Sequence, residues 1–112
     1  MPLTPRQLNR ATLARQLLLR RERLAAVDAI DRVVTVQAQE PASPYVALWN
    51  RVDGFDPADL DAAYRTHAVI KSTSVRITLH AVTAADYPPF HGAMQPSLRA
   101  SRIAVIGRQK LQ

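Results

Sequence analysis

Two glutamines set two residues apart carry the most suggestive chemistry in this sequence. They stand in VVTVQAQEP, residues 33–41, as Gln37 and Gln39. A primary amide accepts through its oxygen and donates through its N–H2, so a pair can hold one water in a fixed orientation. Neither amide is a strong base. Such a pair serves only a reaction whose leaving group is already good. Spacing adds a condition: residues at i and i+2 diverge on a helix but share a face in an extended segment. Glu40-Pro41 biases the chain toward extended backbone. If the preceding helix ends near Val36, the two amides project together. On spacing alone, the simpler account is a polar helix end on the surface.

The other reactive side chains form weaker patterns. Arg6, Arg10, Arg15, Arg20, Arg21 and Arg23 cluster near the N-terminus with only Glu22 opposing them. They suit phosphate contacts, and a solvated helix face is the competing account. Arg99, Arg102, Arg108 and Lys110 form a second basic stretch of the same kind. His67, His80 and His91 lack metal-ligand spacing, and there is no cysteine to assist them, so neither a metal nor a cofactor is expected. Asp53, Asp56, Asp59 and Asp61 read as caps and a solvated face rather than an acid/base pair. Ser72, Thr73 and Ser74 have no visible base beside them. Trp49 falls on an apolar helical face and reads as a core anchor rather than a stacking platform.

These side chains need elements to hold them. LTPRQL begins a helix: Thr4 as N-cap, Pro5 at N1, Gln7 completing a capping box, and Leu3 with Leu8 as a hydrophobic staple. The pattern continues through NRATLARQLLL, with Leu8, Ala11, Ala14 and Leu18 on one stripe. RRER at 20–23 breaks it. A second helix is expected from about Leu24, a third from Ser43 as N-cap with Tyr45, Leu48, Trp49 and Val52 on one face, and a fourth capped by Asp56. Asp59 there favours the positive end of the helix dipole. VRITLHAV, residues 75–82, alternates as a strand; residues 69–74 are either its hairpin partner or its first half. Thr83 caps a last helix if Pro88 and Pro89 lie in the first turn.

Several short helices followed by a β element, in a basic chain, predict a mostly α fold with a small β element (α+β), a winged helix-turn-helix. The 112 residues are 47% hydrophobic, enough for one small core. The formal charge is +6, which favours a polyanionic partner. Lysine occurs only at Lys71 and Lys110, so arginine supplies almost all the positive charge. No apolar run approaches a membrane span, and the N-terminus has no signal-peptide core, so neither a membrane role nor export is expected.

LARQLLL, VQAQEP, ALWNRVDGFDPADLDAAY, RITLHAV and AADYPPF, in that order, resemble the start of the bacterial winged-helix DNA glycosylases. These enzymes excise alkylated bases and unhook interstrand crosslinks, and the resemblance is strongest to the azinomycin-resistance type. It runs from about Leu3 to Arg102. It implies a domain over residues 1–102, followed by a basic tail at 103–112 and a candidate truncation point. It implies that Gln37 and Gln39 position the attacking water, and that Arg6, Arg10, Arg15, Arg20, Arg21 and Arg76 hold double-stranded DNA bearing alkylated or crosslinked purines. It also implies a cytoplasmic, nucleoid-associated protein, and further winged-helix units on the same chain. One departure stands out: Ile77 replaces the family's glycine between Arg76 and Thr78. The competing functions are a non-catalytic winged-helix DNA-binding protein or regulator, and an interaction domain whose arginines are merely solvated.

Overall fold

A computed structural model describes residues 2–74 and 78–110. Its elements in chain order are α1 (Pro5–Arg15), α2 (Ala26–Val33), β1 (Val36–Gln37), α3 (Ser43–Arg51), α4 (Pro57–Arg65), β2 (Val69–Thr73), β3 (Leu79–Thr83) and α5 (Tyr87–Lys110). The three strands form an antiparallel sheet in the order β1-β3-β2. The succession α2–β1–α3–α4–β2–β3, with β1 added beside β3, is a winged helix-turn-helix; α1 precedes it and α5 follows. The mostly α, α+β class is as expected. Residues 69–73 are the hairpin partner of 79–83. Residues 75–77 of the expected strand, Arg76 among them, lie outside the described residues, and Thr78 precedes β3.

Ile30, Leu48, Leu60, Val69 and Val82 are among the largest fully buried side chains. Each contributes about 1.5–3 kcal/mol by leaving water. Ala26, Ala29, Ile30 and Val33 give α2 a wholly buried face, so α2 forms the centre against which α3, α4 and β3 pack.

Helix α1 starts as its sequence dictates. Thr4 Oγ1 accepts the Gln7 N–H, and Gln7 Oε1 accepts the Thr4 N–H. It stops earlier than the apolar pattern predicts. Leu17 adopts φ 58° and is 2% exposed. Its N–H donates to the Ala14 carbonyl and that of Leu18 to Leu13, a Schellman closure. Burying one leucine in the core outweighs continuing the helix. No residue of α1 is buried, so the expected stripe is uncovered, and Leu3 and Leu8 are both exposed.

Three other expectations change. Ala42, not Ser43, is the N-cap of α3. Asp59 does more than favour its own dipole: its carboxylate accepts the Ala26 N–H at 2.8 Å and so caps α2, whose own cap residue, Ala25, has no acceptor side chain. Trp49 is not a core anchor. It is 57% exposed, and the Arg21 guanidinium lies 4.5 Å from its ring centroid. Leu48 and Val52 carry the buried face instead. Thr83 does cap the turn into α5, accepting the Asp86 N–H, and Pro88 and Pro89 fall in the first turn where no N–H is needed. Helix α5 continues without a break through residues 103–110.

Candidate functional site

The glutamine pair sits where helix gives way to strand. Helix α2 ends at Val33, three residues before Val36, and the chain turns at Val34, whose φ of 78° and ψ of −53° are strained for a β-branched residue. Thr35 steadies the far side of the turn by donating its hydroxyl to the Ala81 carbonyl at 3.0 Å. Beyond it burial alternates: Val36 and Ala38 face the core, Gln37 and Gln39 face solvent. Gln37 ends β1 and Gln39 stands in the bend that follows, both on the solvent side of the chain.

They are held differently. Gln39 Oε1 accepts the backbone N–H of Leu79 at 3.1 Å, beside a bond from the Ala38 N–H to the Leu79 carbonyl at 2.8 Å. Its carbonyl completes the β1–β3 ladder, and its N–H2 and one remaining lone pair stay available. Gln37 has no such tether; among the described residues its amide has no protein partner.

Register supplies a neighbour that spacing did not reveal. Gln37 lies directly opposite His80, and His80 directly opposite Ser72. Facing residues of an antiparallel ladder point the same way. Ser72, His80 and Gln37 therefore form a row across the exposed sheet face. The Ala38–Leu79 pair is hydrogen-bonded, so the adjacent Gln37–His80 pair is of the non-hydrogen-bonded kind, in which side chains approach most closely. His80 Nδ1 lies 3.0 Å from the Thr78 carbonyl and 3.3 Å from the Thr78 hydroxyl. Sequence alone gave His80 no role, because the partner that defines it is 43 residues away.

Of the expected DNA-binding arginines, Arg6, Arg10, Arg15, Arg20 and Arg21 are exposed, and Arg76 lies outside the described residues. Arg10 and Arg20 line a groove with Ala14, Leu19 and Glu22. Arg15 lines another with Arg32 and Val34. Arg21 lies over Trp49, and Arg6 is on the exposed first turn of α1. A further groove joins Ser72 and Thr73 of β2 to Tyr87, His91, Arg99 and Arg102 of α5. The second basic stretch therefore borders the sheet row. Among the described residues, no group of three or more His, Asp or Glu side chains could hold a metal, and no helix is long and apolar enough to cross a membrane.

The carboxylates act structurally. Asp61 accepts the Tyr45 hydroxyl, and this bond, aided by partial burial, pushes the Tyr45 phenol up to about 12. Asp56 caps α4 through the Ala58 N–H.

The family model described as "DNA glycosylase AlkZ-like" matches residues 30–111. No curated protein sequence matches the chain. Among solved structures, the Streptomyces sahachiroi DNA glycosylase AlkZ aligns with a TM-score of 0.74 at 24% identity, over 80% of this chain and 24% of that one. The chain thus spans about a quarter of the length of that structure.

Proposed function

The chain belongs to the AlkZ-like DNA glycosylase family, and from that premise we propose that it forms the winged-helix unit that carries the water-positioning amides of a glycosylase acting on alkylated or crosslinked purines. The single observation that supports this most is that Gln37 and Gln39 both stand on the solvent side of the chain at the edge of the sheet. The chemistry suits neutral amides. Alkylation at N7 makes a purine cationic and weakens its bond to C1′ before any catalyst acts. Water attacks C1′, and the bonding electrons leave with the base, which becomes neutral. The amides hold the water in line, and their oxygens favour the positive charge that develops on the sugar.

The tether on Gln39 fits this division of labour. With Oε1 anchored to Leu79, the direction of its N–H2 is fixed, while Gln37 adapts to the bound water. The recognition-helix position weighs against a regulator that reads the major groove. Helix α4 and its cap carry Asp56, Asp59 and Asp61 against one basic residue, Arg65. A helix of that charge is repelled by phosphates. DNA contact falls instead to arginines such as Arg10 and Arg20, with further winged-helix units supplied by the rest of the protein.

The test is base release. A duplex carrying 7-methylguanine is incubated with excess protein, and free base is measured by chromatography. Gln37→Ala is expected to slow release about 100-fold, the order of loss that misplacing a reactant brings. Undiminished release by the Gln37→Ala, Gln39→Ala double variant sinks the assignment.

A further inference from the structure

Water positioned by two amides still has a proton to lose, and neither amide can take it. We propose that His80 Nε2 is the acceptor, making His80 a catalytic residue beside Gln37. This rests on the proposed role of the glutamine pair and adds to it the group that does the acid–base work.

Three observations carry the inference. First, β1–β3 register sets His80 directly opposite Gln37, and the pair is the non-hydrogen-bonded kind, with Cα atoms about 4.5 Å apart in such pairs. One water can touch a Gln37 amide and a ring nitrogen across that gap. Second, the ring is oriented from behind. Nδ1 lies 3.0 Å from the Thr78 carbonyl, which only accepts, and 3.3 Å from the Thr78 hydroxyl, which can accept or donate; the nearer carbonyl favours the tautomer with the proton on Nδ1. In the neutral imidazole Nε2 is then the bare nitrogen, able to accept. Third, His80 is on the central strand, flanked by Gln37 on β1 and Ser72 on β2, and is half-buried. A group so placed is held in position rather than swinging in solvent.

The step balances. The water oxygen forms a bond to C1′ as the C1′–N9 bond breaks. The electron pair of that bond neutralises the cationic base. One water proton passes to His80 Nε2, giving an imidazolium that returns it to solvent after the base has left.

The experiment separates this inference from the reading beneath it. Wild type, Gln37→Ala, His80→Asn and His80→Ala are each given two duplexes, one with 7-methylguanine and one with a cationic pyrrolidine in place of the abasic sugar. A tetrahydrofuran duplex is the neutral control for the latter. Asn places an N–H near the position of Nδ1 and can keep the bond to Thr78, but it cannot take a proton. We expect His80→Asn to melt and bind tetrahydrofuran DNA as wild type does, to lose base release at least 100-fold, and to lose preference for the pyrrolidine. Imidazole in the buffer should restore part of the release to His80→Ala, an effect no purely structural role produces. If Gln37→Ala loses release or preference while His80→Asn keeps both, the inference is overturned and the glutamine reading stands. If wild type neither releases base nor prefers the pyrrolidine, the glutamine reading fails and this inference fails with it. Where wild type shows the preference without release, the preference of His80→Asn decides.

Discussion

Gln39 and Leu79, 40 residues apart in sequence, are joined by a hydrogen bond of 3.1 Å from the backbone N–H of Leu79 to the side-chain oxygen of Gln39. A side chain here does what a backbone carbonyl does elsewhere in the ladder. Gln37, two residues earlier, makes no comparable bond. The two glutamines therefore differ in what they do for the fold. Gln39→Ala should lower stability by about 1 kcal/mol, the net worth of one hydrogen bond, while Gln37→Ala should leave it unchanged. Gln39→Glu keeps the acceptor and should recover most of the loss. Urea denaturation of the three variants measures this, and equal stability of Gln37→Ala and Gln39→Ala sinks it.

Val34 is the joint between α2 and the strand that presents Gln37, and its φ of 78° is unfavourable for a β-branched side chain. Strain of this kind costs about 1–3 kcal/mol. Its side chain is exposed, so little packing is lost on removing it. Glycine adopts the conformation freely, though it loses about 0.5–1 kcal/mol of chain entropy. Val34→Gly should therefore raise stability by roughly 1 kcal/mol, seen as a higher melting temperature. A drop would mean that Val34 packs productively.

What the sequence disclosed was local. The Thr4–Gln7 capping box and the Asp56 cap each depend on residues three or fewer apart and formed as their residues predict; Thr83 accepts the Asp86 N–H as expected, but in the turn before α5, which begins only at Tyr87. The α+β class was equally readable from the change of period, but whether residues 69–74 pair with the next strand was not, and register alone decided it. What stayed hidden depends on distant contacts. The apolar run Leu17-Leu18-Leu19 gives no sign that Leu17 alone will turn inward and stop α1. Ala26 gives no sign that Asp59, 33 residues later, caps its helix. Trp49 lies at the right helical spacing for the core, yet Leu48 and Val52 fill that space and leave the indole to Arg21. At the candidate site the expectation of a shared face for Gln37 and Gln39 was conditional on where α2 ends. His80 became visible only through strand register.

His67 repeats the device seen at Leu17. It has φ 60° just past the end of α4, and its N–H and that of Ala68 donate to the carbonyls of Tyr64 and Ala63. Unlike Leu17 it is exposed and fills no core space. His67→Gly should stabilise by about 1 kcal/mol, the usual gain when a left-handed position loses its Cβ. The corresponding Leu17→Gly should destabilise by several kcal/mol, because a buried leucine is removed. Thermal melts that move the same way for both variants would refute this contrast.

Tyr45 should ionise late. Its hydroxyl donates to Asp61, and ionisation would break that bond and set two negative charges side by side, so its pKa rises to about 12. Tyr64 is also raised, through burial. The Tyr45–Asp61 bond therefore contributes its full stability below pH 10, where folded and unfolded phenols are both protonated. That contribution is lost as pH climbs through about 12. In a titration followed by tyrosinate absorbance, Asp61→Ala should return Tyr45 toward its ordinary value and leave Tyr64 late. Unchanged curves for Asp61→Ala would show that the bond does not form in solution.

Arg10 and Arg20 line one groove, whereas Arg21 rests on the Trp49 ring. Equal charge does not make them equal on DNA. A guanidinium that contacts phosphate releases a counterion on binding, and each such contact adds about 0.9 to the slope of log affinity against log salt. Arg10→Ala, Arg20→Ala together should lower that slope by about 2 on undamaged duplex. Arg21→Ala should lower it by less, since its cation is partly satisfied by the indole face. Fluorescence anisotropy across a salt series gives the three slopes. An unchanged slope for the double variant would move the DNA track away from this groove, toward the Arg99 and Arg102 side of the sheet row.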